Sequence, residues 1–188
     1  MEQKYNAGKE EIAIVLDFLP NGYPFDKTPM HRKTAIVQAM GTNRFTLLEL
    51  VPRKGEFLQP LAEVYIGDGK REIIHHINGR IPFNKLTHTA QQELTPIIKE
   101  IIKKNDKKFV DFFNKAQPLS IRMHSLELLP GIGKKHVKEL LIQREEKLFE
   151  NFLDIKTRVK LMPDIETVLL KRILLEIEGL EKHKIFLD

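Results

Sequence analysis

Between Glu11 and Ile81, apolar residues come in short runs, some alternating with polar residues, and turn-forming residues separate one run from the next. The runs are Ile12–Leu19, Thr34–Met40, Phe45–Val51, Leu61–Ile66 and Ile73–Ile77. The breaks are Pro20-Asn21-Gly22, Gly41-Thr42-Asn43, Pro52–Gly55 and Gly67-Asp68-Gly69. Runs of that length and spacing predict five strands, and five short strands predict a small closed or nearly closed β-barrel. An OB-like barrel is the first expectation and an SH3-like barrel the alternative. The connection Pro52–Pro60 is too short and too rich in Pro and Gly for the helix that OB-type folds often place between strands three and four.

After Pro82 the period changes from two to 3.6. Thr87 or Thr89 can cap a helix whose apolar stripe is Leu94, Ile97, Ile98, Ile101 and Ile102, with Pro96 marking a kink or restart. Phe109, Val110, Phe112 and Phe113 form a second cluster before Pro118. Ser120 is a candidate N-cap for a short helix carrying Ile121, Leu126, Leu128 and Leu129, which Pro130 must stop. Phe149–Leu161 and Ile165–Glu178 read as one more helix pair, broken at Met162-Pro163-Asp164 and closed by Gly179. The expectation is therefore an α+β chain in two domains, a barrel over residues 1–82 and an all-helical part over 83–188.

The segment 129–135, Leu-Pro-Gly-Ile-Gly-Lys-Lys, reads as a helix stop, a tight apolar turn and a basic helix start. Gly131 and Gly133 permit torsions and close approaches that other residues do not, and Ile132 between them can plug the turn into the core. A helix over roughly 134–144 then begins with unpaired N–H groups and the positive end of its dipole. Lys134, Lys135 and Lys138 add full charges within about a turn, which makes an anion site. A Pro-Gly turn joining two helices is also a plain αα-hairpin.

Charge sharpens the picture. The net charge is +5. Residues 1–82 hold 11 Lys and Arg against 10 Asp and Glu, residues 99–144 hold 11 against 5, and the last 44 residues hold 8 against 10. The excess surrounds the turn, as a phosphate binder requires. In an OB-like barrel the loops after strands one and four flank the ligand face. The first holds Tyr23, Phe25, His31, Arg32 and Lys33, and the second Lys70 and Arg71. Rings beside cations suit single-stranded nucleic acid, because bases stack on rings while cations meet phosphates. Equally, Tyr23 and Phe25 can fold back as a barrel plug.

Several classes are disfavoured. The chain has no cysteine, hence no disulfide and no zinc knuckle. No apolar run reaches the ~20 residues of a membrane span, and the first residues lack a signal pattern, so a cytoplasmic protein is expected. Seven histidines include no pair at i,i+4; His75 and His76 would point to opposite faces of a strand, while His31, His124 and His136 fit structural or phosphate-contacting roles. Nucleophile-elbow, P-loop and dinucleotide signatures are missing from the sequence, so neither a catalytic residue nor a cofactor is expected.

The octet Leu128–Lys135 with its flanks resembles the helix-hairpin-helix motif. The resemblance implies contact with a sugar-phosphate backbone, independent of base sequence, through the amides of Gly131 and Gly133 assisted by Lys134 and Lys135. Val137 stands where that motif usually has Ala, which would set the helices slightly apart. The helix pair over 149–179 would be a degenerate partner hairpin, lacking both glycines and serving packing. Leu-Glu-Leu-Leu-Pro-Gly-Ile-Gly, Phe109-Val110-Asp111-Phe112-Phe113-Asn114, Val15–Pro20 and Phe45–Leu50 together resemble an uncharacterised archaeal family described as RNA-binding, which combines an OB-like barrel with a helix-hairpin-helix. That resemblance implies RNA rather than DNA as partner. Helix-hairpin-helix DNA glycosylases carry a Schiff-base lysine two positions after the second Gly and a carboxylate some twenty residues on. Lys135 and Asp154 stand roughly there, so a lyase is the enzymatic alternative to a non-enzymatic binder. A protein adaptor in a ribosomal or tRNA-processing complex is the other.

Overall fold

The computed structural model describes residues 9–24 and 29–187. It is an α+β protein with a curled five-stranded antiparallel sheet and, among the described residues, five α-helices. Two compact units make up the chain. One holds the described residues up to Ile97 with Ile177–Gly179 and the residues from Phe186; the other holds Ile98–Glu176 with Leu180–Ile185.

In the first unit the strands are β1 (Ile12–Leu19), β2 (Ile36–Gly41), β3 (Leu47–Pro52), β4 (Glu63–Tyr65) and β5 (Ile74–Arg80). Their order across the sheet is β4-β1-β2-β3-β5, all pairs antiparallel. A register shift between Val15 and Asp17, and two more along β3 and β5, bend the sheet, because each bulge adds a residue to one strand and increases local twist. The result is a half-barrel rather than a closed one: β4 and β5 are its two edges. Alternation puts Ala13, Val15, Val37, Ala39, Leu48 and Leu50 on one face, where they pack with Leu58, Val64, Ile66 and Ile74.

The opposite face carries a row of polar side chains across three strands. Asp17 pairs with Gln38 and Gln38 with Glu49 in the strand register. Gln38 is fully buried, and it donates to the Lys85 carbonyl (2.9 Å) while accepting the Thr87 N–H (2.8 Å). Thr87 Oγ1 donates to Asp17 (2.6 Å) and accepts from the Ala90 N–H (3.1 Å), so Thr87 both caps α1 (His88–Lys104) and ties its start to the sheet. α1 continues through Pro96 as one helix, so of the kink or restart expected there the restart does not occur.

His75 and His76 do not straddle the sheet. Their Nδ1 atoms lie 2.7 Å apart, because the β3–β5 register pairs Ile74 with Pro52 and His76 with Val51, leaving His75 as the bulged residue.

The second unit is not all helical. Between α2 (Asp106–Lys115) and α3 (Lys134–Glu146), Pro118–Ser120 and Met123–His124 form a small hairpin, β6 and β7, followed by a 3₁₀ turn over Ser125–Leu128. The helix expected from Ser120 is therefore absent, and Ile121 stands fully exposed at the hairpin tip. The reason lies in where the cap forms. His124 Nδ1 accepts the Leu126 N–H (3.2 Å), Glu127 accepts the His124 N–H (2.9 Å), and Ser125 Oγ donates to the Gln117 carbonyl (2.7 Å). Those bonds start the turn four residues late and hold 117–120 extended. The last helices are α4 (Phe152–Arg158) and α5 (Ile165–Ile177).

Arg172 of α5 is 1 % exposed. Its guanidinium donates to Glu176 (2.7 Å), to the Leu128 carbonyl (3.0 Å), to Glu181 (2.9 Å) and to the His183 carbonyl. One side chain thus joins α5, the 3₁₀ turn and the chain after Leu180. We expect Arg172→Leu to lower stability by about 3–5 kcal/mol, because it breaks a buried ion pair by removing one partner. Urea denaturation checks this, and adding Glu176→Leu should restore part of the loss.

Candidate nucleic-acid interface

The turn before α3 begins where the 3₁₀ helix ends. The Leu129 N–H donates to Leu126 O (3.2 Å) and the Ile132 N–H to Leu129 O (3.0 Å), which folds the chain back on itself. Leu129 and Ile132 are buried, so the two apolar residues anchor the turn while Gly131 and Gly133 stay exposed between and beside them. Gly131 has φ +86°, a left-handed torsion that favours glycine. Gly133 differs. It is the N-cap of α3 at φ −98°, a torsion open to any residue, and a Cβ there would meet only open space. Its importance would lie in leaving the amides uncovered, not in relieving strain.

Lys134, Lys135 and Lys138 are all exposed on the first turns of α3. The first N–H groups of that helix have no acceptor within it, and its dipole adds positive potential there. The Gly133 N–H points at His136 Nδ1 at 3.4 Å, a long contact, and His136 Nε2 lies 3.1 Å from the Leu161 carbonyl. Lys134 also lines a cavity of about 530 Å³ with Ile121, Arg122, His124 and Val137. Burial, then the charge of Arg144, holds the His124 ring below its ordinary pKa, which Glu127 partly offsets.

The connection between α4 and α5 repeats the turn thirty residues on. Val159 and Met162 are buried in the positions of Leu129 and Ile132. Leu161 takes the place of Gly131 with φ +55°, and it is 94 % exposed. Pro163 replaces Gly133, and a Cβ on Gly131 would come 3.9 Å from Pro163 Cγ, so the two turns are neighbours. Asp164 starts α5, accepting from both the N–H (2.9 Å) and the Oγ1 (2.6 Å) of Thr167; those two bonds pull its pKa down. Asp154 is taken up locally, by Arg158 (3.2 Å) and the Glu150 N–H (3.1 Å), while Lys135 stands in solvent.

In the first unit the residues expected on a ligand rim are dispersed. Tyr23 is half-buried. Its hydroxyl donates to Glu49 (2.7 Å) and accepts from Gln38 (3.2 Å), which makes it part of the polar row. Burial and the Glu49 bond push its pKa up to about 12. Lys33 Nζ donates to the Tyr23 carbonyl (2.6 Å). Arg32 and Lys70 are exposed, and Arg71 donates to the Gly67 carbonyl (2.9 Å). Phe25 lies outside the described residues.

Sequence reading passed over Arg53, Lys54 and Phe57, which stand exposed in the loop between β3 and β4. The loop holds an aromatic three residues after a cation pair, between Pro52 and Pro60. Among the described residues no group of three or more His, Asp or Glu is placed to hold a metal ion, and no helix is long and apolar enough to cross a membrane.

Curled sheet, polar row and paired turns define a two-unit α+β protein whose exposed basic turn precedes a helix. The chain belongs to the family described as "Protein of unknown function (DUF655)", whose model matches residues 9–188. It is 39% identical over 178 residues to an uncharacterized protein of Methanocaldococcus jannaschii, covering 95% of this chain and 79% of that protein. It is also similar to a crystal structure of a DUF655 protein from Archaeoglobus fulgidus. There the TM-score is 0.82 at 43% identity, covering 95% of this chain and 100% of the other.

Two expected outcomes test the geometry. Gly131→Ala should lower stability by about 1 kcal/mol or more and Gly133→Ala far less, because only the first needs a left-handed torsion; thermal melts compare them. Tyr23 is favoured as the neutral phenol in the fold. Its stabilising contribution is complete below its ordinary pKa near 10 and is lost as pH rises from there toward about 12. The melting temperature should fall over that window, and Tyr23→Phe should flatten the fall.

Proposed function

We propose that this chain is a non-enzymatic RNA-binding protein that grips the phosphate backbone at the Gly131–Gly133 turn. The observation that carries the reading is the turn itself. Buried Leu129 and Ile132 hold it, its two glycines are exposed, and Lys134, Lys135 and Lys138 stand in solvent at the start of α3. Amides and a helix dipole meet a phosphate without regard to base, so the contact positions the nucleic acid and does not read it.

In this reading the 3₁₀ turn, α3 and the α4–α5 pair are a shortened helix-hairpin-helix with its partner, the second turn covered by the Leu161 side chain. The sheet is an OB-like barrel with one seam open: the order β4-β1-β2-β3-β5 would close on pairing β4 with β5. Choosing RNA over DNA rests on this barrel type and on the family resemblance. A Schiff-base lysine requires a desolvated pocket, and Lys135 is exposed, which favours binder over lyase.

Fluorescence anisotropy with a labelled RNA stem-loop tests the proposal. Affinity should fall steeply with salt, the log–log slope tracking the number of phosphates neutralised. Lys134→Ala with Lys135→Ala should reduce that slope by about 2 while the protein stays folded. A flat salt titration, or a folded double variant with unchanged slope, would overturn the reading.

A further inference from the structure

Phe57 is 71 % exposed, yet its ring is not loose. It meets Phe18 edge-on, ring centres 5.0 Å apart and planes at 74°, and Phe18 packs in turn against the sheet's apolar core. The turn that delivers Phe57 is closed by the Glu56 N–H donating to the Arg53 carbonyl (3.1 Å). Arg53 also donates through Nε (3.1 Å) and Nη2 (2.9 Å) to the Arg71 carbonyl, and Arg71 Nε donates to the Gly67 carbonyl (2.9 Å). The loop after β3 and the loop before β5 are thereby tied together, and Arg53, Lys54, Lys70 and Arg71 gather where they join.

Glu56 and Glu72 share these loops and Asp68 is paired with Lys9, so positive charge remains in excess at the corner. Each guanidinium uses only part of its set of five donors in holding the loops, which leaves donors for an anion.

We infer that this corner is a binding site for single-stranded RNA, with one unstacked base lying on Phe57 and the adjoining phosphates meeting Arg53, Lys54, Lys70 and Arg71. A ring held in place by a second ring loses little conformational freedom when a base stacks on it. The chemistry favours nucleic acid over a protein partner, because the loop that presents the ring also carries Arg53 and Lys54 and is tied through Arg53 to the loop that carries Lys70 and Arg71. The inference rests on the RNA-binding reading and adds to it the form of the ligand: a strand with a free base face.

The test uses the full chain, a labelled oligouridine strand, a labelled fully paired RNA duplex and the labelled RNA stem-loop. Phe57→Ala should weaken oligouridine binding about tenfold or more, since stacking on an aromatic carries ~1–3 kcal/mol per base, and should leave duplex binding unchanged. The exposed ring loses only its edge contact with Phe18, so the melting temperature should fall slightly and the variant stay folded. Phe57→Tyr should restore affinity, and Lys54→Ala with Lys70→Ala should lower the salt slope for oligouridine alone. Unchanged oligouridine affinity in Phe57→Ala would overturn the inference and assign the ring to a protein contact. Wild-type protein that binds the stem-loop but not oligouridine would overturn it while leaving the backbone-grip reading intact. Binding to neither would remove both.

Discussion

Asp17, Gln38 and Glu49 lie side by side across β1, β2 and β3, and Gln38 and Glu49 are buried. Polar groups in that position destabilise a fold unless each finds a partner. Here each does: Gln38 bridges the Lys85 carbonyl, the Thr87 N–H and the Tyr23 hydroxyl, Asp17 takes Thr87 Oγ1, and Glu49 takes Tyr23 and Asn78. The network fixes three things that sequence neighbours could not. The first loop is drawn in through Tyr23, the start of α1 is set by Thr87, and the second face of the sheet is filled. For an OB-like barrel the last point is decisive. The face of strands two and three, a usual ligand platform, is occupied by the protein's own Tyr23 and Asn78. On the proposed reading, ligand contacts in this unit would fall to the loops.

The second unit rests on a different device. Two turns with the same apolar anchors pack beside each other, and Arg172 reaches from α5 to the carbonyl of Leu128 just before the first. Similar backbone paths lead to opposite surfaces. At Gly131 the left-handed torsion costs little and leaves no side chain over the turn. At Leu161 a similar torsion carries strain on the order of 1–3 kcal/mol and raises a side chain over the turn. On the proposed reading the first turn would be the grip site, open to a phosphate, and the second a buttress.

Much of the fold was legible because it is written locally. Five apolar runs gave five strands within two or three residues, and the 3.6-residue stripe gave α1. The misreadings come from bonds and bulges that the apolar pattern does not show. Ser120 has the composition of a cap, yet His124 and Glu127 close the capping box and Gln117 holds Ser125, so the short helix never starts. Tyr23 has the setting of a stacking ring, but its hydroxyl partner lies twenty-six residues away on β3. Alternation placed His75 and His76 on opposite faces, and a bulge undid it. At the candidate site the lysines of α3 were readable from the turn that precedes them. Phe57 was not, because the connection 52–60 was judged by the helix it lacks and not by the ring and cations it displays.

The two proposed contacts differ in what they can recognise, and that difference bears on the kind of RNA involved. Amides and lysines at Gly131–Lys138 sense only phosphate, which duplex and single strand both present. A ring at Phe57 requires a base face that pairing and stacking would hide. Either contact alone is undemanding. Carried on one chain, the second binding event becomes intramolecular, and its effective concentration multiplies the affinity only for a molecule that offers both features at a span the protein can reach. A uniform duplex lacks the unpaired base face, so the two proposed contacts, if both are made, would together favour RNA in which a structured segment continues into an unpaired one.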